Sequence, residues 1–221
     1  MTPLENRLDA NEARLFGVLI EKSLTTQDHY PLSVHAATAG ANQKSNRSPV
    51  MSLTEGETND ALARLVVNGL AGRVIPAGSR VEKYRHNGEE RLGLEPAKLA
   101  IIAELMMRGA QTKGELRTRA SRMRPLPTLE ALDAHLEPLI NHGWVRAVPP
   151  APGSRAGRFA QTLSLDSEPA AEASAPQATS PAQAVPHAEP NLVARVSTLE
   201  EEVASLRDSL TQLAEKLGES L

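Results

Sequence analysis

The sequence predicts a mainly α protein with small β hairpins (α+β), built from two similar units in tandem and followed by a linker and a coiled-coil helix. Three observations carry this. Apolar residues recur at helical spacing in six segments separated by turn signals. A pattern in the first unit returns in the second. After Leu165 the composition changes sharply, first to Pro, Ala, Ser and Glu and then to an unbroken heptad.

Residues 13 to 24, ARLFGVLIEKSL, place Leu15, Phe16, Leu19 and Ile20 on one face and read as a buried first helix. Thr25-Thr26 ends it, and Pro31 suits the first turn of a second helix through about Ala39. The polar run ANQKSNRSPV, residues 41 to 50, follows. A third helix starts at Ser52 with Glu55 or at Thr54 with Glu57, since either pair has capping-box spacing and can satisfy two orphan amides reciprocally. Leu62, Leu65, Val66 and Leu70 continue its apolar face, and Gly69 and Gly72 mark its end. Arg73 to Ile75 and Val81 to Arg85 are strand candidates joined by Pro76-Ala77-Gly78-Ser79, a hairpin signal. Three helices and a hairpin make a winged helix.

Leu15, Leu19 and Thr26 recur as Ile101, Leu105 and Thr112, each 86 positions later, and Gly78-Ser79-Arg80 recurs as Gly153-Ser154-Arg155, 75 later. The first unit is therefore longer by 11 residues, and ANQKSNRSPV is the natural candidate for the insertion. In the second unit, Ala97 to Arg108, Thr112 to about Met123 and Thr128 to His142 are the three helices, the last with Leu129, Leu132, Leu136 and Leu139 inward. Pro138 removes a backbone donor there, which predicts a kink or a shorter helix.

Residues 166–190 have almost nothing to bury and read as a disordered linker. Over 191–218, Val196, Leu199, Val203, Leu206, Leu210, Leu213 and Leu217 form a coiled-coil seam with Val or Leu at a and Leu at d. In a parallel pair Arg195 meets Glu200 and Glu202 meets Arg207, so a parallel homodimer is expected; a helix folded back on its own body is the other reading of the same pattern. The domain limits are then 1–93 and 94–165 for two winged-helix domains, 166–190 for the linker and 191–218 for the coil.

The formal net charge of −3 divides unequally, +4 over residues 1–165 and −7 over 166–221. Cysteine is absent, which excludes a disulfide scaffold and a cysteine nucleophile or zinc ribbon. The start lacks a basic segment followed by an apolar stretch, and no apolar run approaches membrane-spanning length, so a cytoplasmic protein without a membrane partner is expected. His29 and His35 lie six apart and His135 and His142 seven apart, with no carboxylate at metal-ligand spacing. No catalytic residue, metal or cofactor is expected.

Gly17 to Lys22, Thr25-Thr26, Tyr30 to Ser33, Asn42 to Arg47 and Pro49 to Met51 together resemble the YceH family of bacterial proteins. The likeness covers residues 13 to about 165, with Gln27 where a proline is usual and Ala41 where a cysteine is common. It implies two winged-helix domains in tandem and no established biochemical activity.

Cations point to double-stranded DNA. Lys113, Arg117, Arg119 and Arg122 flank the inward stripe Leu116, Ala120 and Met123. Arg80, Lys83 and Arg85 in one wing and Arg155 and Arg158 in the other could grip phosphates, contacts that supply affinity without sequence information. Lys44 and Arg47 are either paired to Glu21 or another acid, or offered to a phosphate, while Asn42, Gln43, Ser45 and Asn46 can hold the turn and cap the second helix. Against a groove-reading third helix stand Glu55, Glu57 and Asp60 in the first unit and Glu130, Asp133 and Glu137 in the second. Two functions stay open: a dimeric DNA-binding transcriptional regulator, or a protein-interaction scaffold in a chromosome or transcription assembly, with a basic partner on the acidic third helix of the second domain.

Overall fold

The computed structural model describes residues 7–76, 78 and 80–165. The predicted linker and the coiled-coil seam, with the dimerisation residues named for it, lie outside these residues. The fold is mainly helical and carries two small antiparallel hairpins in a winged-helix-like order. Its first half runs α1 (Ala10–Thr25), a 3-10 turn (Gln27–His29), α2 (Val34–Ala41), α3 (Glu55–Val67), β1 (Ala71–Val74) and β2 (Lys83–His86). A short α4 (Gly88–Leu92) leads into α5 (Pro96–Arg108), β3 (Gln111–Thr112), α6 (Lys113–Ala120), α7 (Leu129–Asn141), β4 (Val145–Val148) and β5 (Arg158–Gln161).

Side chains that close orphan amides set the helix starts. Asp9 and Glu12 form a capping box on α1, Thr54 and Glu57 on α3, and Thr112 and Glu115 on α6. Of the two starts open for the third helix, the one at Thr54 is used. Gly69 leaves α3 with φ of 72°, a conformation that a Cβ disfavours, whereas Gly72 lies inside β1 rather than at a helix end. The second helix begins at Val34 behind a Ser33 cap, not at Pro31, whose peptide bond to Tyr30 is cis. Pro138 does not shorten α7, which continues to Asn141. Leu132, Leu136 and Leu139 are buried as expected, but Leu129 is 44% exposed, because at the first position of α7 its side chain precedes the turn that packs inward.

The main elements of the two halves follow one another in the same order. The offset is 86 residues from α1 to α5, 79 from α2 to α6, 74 from α3 to α7 and from β1 to β4, and 75 from β2 to β5. Thus seven extra residues precede α2 and only five follow it, so ANQKSNRSPV accounts for the smaller part of the insertion. The counterpart of Thr112 is Ser33, 79 residues earlier, not Thr26: both cap a helix, and the residue before each pairs with the hairpin. Gln111 pairs with Phe159 in the second sheet, ordered β3-β5-β4, and Leu32 exchanges backbone bonds of 3.0 and 2.7 Å with Tyr84 in the first.

One apolar core runs through both halves, centred on α1 against α5. Their approach is close at Gly17, where a Cβ would stand 3.1 Å from the Met107 side chain and 3.3 Å from the Ala103 carbonyl. The ends of the described body are also tied together, Leu8 N–H donating to Leu163 C=O at 2.8 Å and Leu165 N–H to Leu8 C=O at 3.0 Å.

Candidate functional site

The segment that follows α2 folds onto the α1–α5 seam. Asn42 closes its base, its side chain exchanging two 2.8 Å hydrogen bonds with the backbone of Leu53, and Ser48 N–H donates to Met107 C=O at the end of α5 at 2.9 Å. Asn46 takes a left-handed conformation, φ 60°, a region Asn tolerates better than most residues. Arg47 thereby turns inward, with its side chain 0% exposed. It donates to both Glu21 oxygens, at 2.6 Å and 3.4 Å, to Gly40 C=O at 2.9 and 3.0 Å and to Gln43 Oε1 at 2.9 Å.

Glu21 is shared with the second half of the chain. Arg122, just beyond α6, reaches Glu21 with one guanidinium nitrogen and Glu104 with the other, the latter at 3.2 Å. Glu104 lies 3.1 Å from Arg108, and Arg108 donates to the Asn46 side chain, which closes a ring of three arginines and two glutamates. Burial pushes the Glu21 carboxyl up, but the hydrogen bonds and charges of Arg47 and Arg122 outweigh it and hold the group below its ordinary range. Burial lowers Arg122, and Glu21 and Glu104 more than restore it. Beside the ring, Arg14 is buried and donates to Ala41 and Pro49 carbonyls at 3.2 and 2.8 Å; burial, then Arg47, brings it down to about 10. What this arrangement can do is lock α1, α5, the loop after α2 and the turn after α6 together.

The predicted phosphate-binding cations therefore separate into two groups. On and beside α6, Lys113 pairs with Asp133 at 2.7 Å, Arg119 with Glu115 at 3.2 Å, and Arg117 donates to Pro127 C=O at 3.2 Å, while Arg122 belongs to the ring. In the second hairpin Arg158 donates to Pro149 C=O at 3.1 Å. Arg80, Arg85, Arg155 and Lys44 are exposed and Lys83 is half-buried, and none of these five has an ion-pair partner among the described residues. Ser45, expected to brace the turn, is exposed and makes no side-chain hydrogen bond among the described residues.

Residues 8–154 match a family model described as a protein of unknown function, DUF480. A UPF0502 protein of Geotalea daltonii is 45% identical over 197 residues, 88% of either chain. Another from Enterobacter sp. (strain 638) is 40% identical over 98% of this chain and 100% of its own, and one from Shewanella loihica is 42% identical over 96% and 99%. The chain belongs to the UPF0502 family.

A serine–histidine pair in this UPF0502 chain escaped the sequence reading. Ser23 Oγ lies 2.9 Å from His86 Nε2, and the His86 backbone N–H donates to Tyr30 Oη at 2.6 Å. The hydrogen bonds assign it no nucleophilic role. His86 Nδ1 accepts from Gly88 N–H at 3.2 Å, so Nε2 carries the proton and donates to Ser23, whose own hydroxyl donates to Ile20 C=O at 2.7 Å. Burial, then the charge of Arg85, pushes His86 down to about 4, which keeps it neutral. The signal for the ionic ring was also present: Glu21 and Glu104 each interrupt an apolar helical run at an inward position. Among the described residues no group of three or more His, Cys, Asp or Glu could hold a metal ion, and no helix is long and apolar enough to cross a membrane.

Proposed function

We propose that the protein is a dimeric, cytoplasmic regulator of two tandem winged-helix domains, residues 1–93 and 94–165, which grips duplex DNA chiefly through its wings. The observation that supports this is the placement of cations that make neither an ion pair nor a side-chain hydrogen bond among the described residues: Arg80, Lys83 and Arg85 on the first hairpin and Arg155 on the second, with Lys44 on the loop after α2. Such groups release counterions on meeting phosphate, whereas cations already paired contribute less. The winged-helix-like fold and the family are compatible with this role, and the reading is non-catalytic.

Titration of random duplex across salt tests it. Replacing Arg80, Lys83 and Arg85 by Gln should flatten the slope of log K against log salt by up to about 0.9 per lost contact. The same change at Lys113, Arg117 and Arg119 should alter it less. A slope unaffected by the wing variant would remove the hairpin from the interface.

The second reading, an interaction scaffold, is favoured by the third helices, since Asp60 on α3 and Glu130 and Glu137 on α7 are exposed where a groove-reading helix would face phosphate. A basic protein partner would fit α7 better than DNA does.

Dimerisation through the heptads predicts that a chain ending at Leu165 sediments as a monomer or a much weaker dimer, while the full chain is dimeric at micromolar concentration. Identical sedimentation of the two would exclude the C-terminal seam as the dimerisation element.

A further inference from the structure

The two halves meet at equivalent positions. At the 86-residue offset that relates α1 to α5, Gly17 corresponds to Ala103, and these two stand together where the helices approach closely, a Cβ on Gly17 lying 3.3 Å from the Ala103 carbonyl. At the same offset Glu21 corresponds to Met107. The connection from α2 to α3 bonds Met107, through the 2.9 Å hydrogen bond from Ser48 N–H, and the connection from α6 to α7 bonds Glu21, through Arg122. Each half therefore touches the other with the same part of its fold at the same place. The ends of the halves repeat the relation. Residues 87–95 carry the chain from β2 into α5, and the corresponding junction, between the end of β5 and the start of α1, is made by the hydrogen bonds of Leu163 and Leu165 with Leu8.

Reciprocity of this kind belongs to a two-fold relation. In a head-to-tail array different surfaces meet and contact runs one way, whereas a two-fold sets each contact against its own counterpart and closes after two units. A two-fold rotation also leaves height along its axis unchanged, so it holds both hairpins at one level, on opposite sides of the α1–α5 seam. Resting on the DNA-binding reading above, we infer that one chain, and not the dimer, supplies both halves of a two-fold grip, and that its partner is a duplex carrying an inverted repeat. Arg80, Lys83 and Arg85 hold one half-site and Arg155 the other. Helix-turn-helix homodimers meet palindromic operators because the protein's two-fold mirrors that of the site. Here the α1–α5 seam provides the dyad within a single polypeptide. The wings differ in sequence, so the two halves of the repeat differ as well.

Selection from a random duplex pool on the full-length chain, followed by titration of the enriched duplex far above its Kd, tests this. The enriched sequences should share an inverted repeat, and saturation should come at one repeat per chain. A duplex with one half-site should bind about tenfold more weakly, with roughly half the slope of log K against log salt. Saturation at one repeat per two chains would assign the symmetry to the dimer and overturn the inference. A direct repeat, a single asymmetric element, or binding without any enriched sequence would overturn it too, and each of these leaves the DNA reading standing. A chain that binds no duplex even at low salt would end both.

Discussion

Replacement of Glu21 by Gln lowers the stability of the protein by about 3–5 kcal/mol, the range for a buried ion pair that loses one partner. The carboxylate is 2% exposed and, among the described residues, is the one acid that pairs with both Arg47 and Arg122. With an amide in its place, Arg47 keeps its carbonyl partners at Gly40 and Asn46 but no negative charge, and Arg122 retains Glu104 alone. At about 2–4 °C per kcal/mol for a body of this size, the melting temperature should fall by roughly 10 °C. Lys44→Gln, at an exposed position with no ion-pair partner among the described residues, should change stability by less than about 0.5 kcal/mol. Thermal unfolding followed by circular dichroism measures both. A Glu21→Gln protein within about 1 kcal/mol of wild type would show that the ring does not hold the halves together. A cycle with Arg122→Gln isolates the coupling between them, and additivity of the two changes would have the same meaning.

Stability also falls as pH drops from 6.5 towards 4, through His86. In the unfolded chain this ring is protonated below 6.5, and in the folded protein only below about 4, because burial and then Arg85 disfavour the cation. Between those values the unfolded state binds the extra proton, so acidification favours it, by about 3 kcal/mol over the whole window and no further below it. Glu21 acts in the same direction at lower pH. Its folded pKa lies below 4.5, so the stability it contributes is complete above 4.5 and is lost as pH falls through the folded value. The interval from 6.5 to 4.5 therefore separates the His86 contribution from that of Glu21. Urea unfolding at several pH values should show the loss in wild type and not in His86→Asn, whose side-chain oxygen can still accept from Gly88. A wild-type stability that is level from pH 7 to 4.5 would contradict the neutral buried imidazole.

Much of the secondary structure was legible because it depends on neighbours in sequence. The capping spacing of Thr54 with Glu57, the inward stripe Leu116, Ala120 and Met123, and the hairpin turns at Gly78 and Gly153, with φ of 79° and 78°, each rest on groups within a few residues of one another. The recurrence of the pattern carried the order of the elements as well. It misplaced the insertion, however, because matching Thr26 to Thr112 compares residue types, whereas the equivalence of Ser33 and Thr112 lies in the strand pairing that precedes each cap.

The use of the charges was decided elsewhere. By composition Arg47 and Lys44 are alike, both cations in one polar run that could pair with Glu21 or meet a phosphate. The tertiary structure alone separates them, because the left-handed turn at Asn46 sends Arg47 inward to an acid 26 residues back while Lys44 stays in water. Arg122 likewise looked like one of four equal cations on a helix, and the two acids it bridges are 101 and 18 residues away. Sequence by itself determined which groups are charged and which face of each helix they occupy, since both follow from covalent structure and helical period. Which charge meets which depended on how α1 packs on α5, since an ion pair is a contact in space and its strength is set by burial that no local pattern encodes.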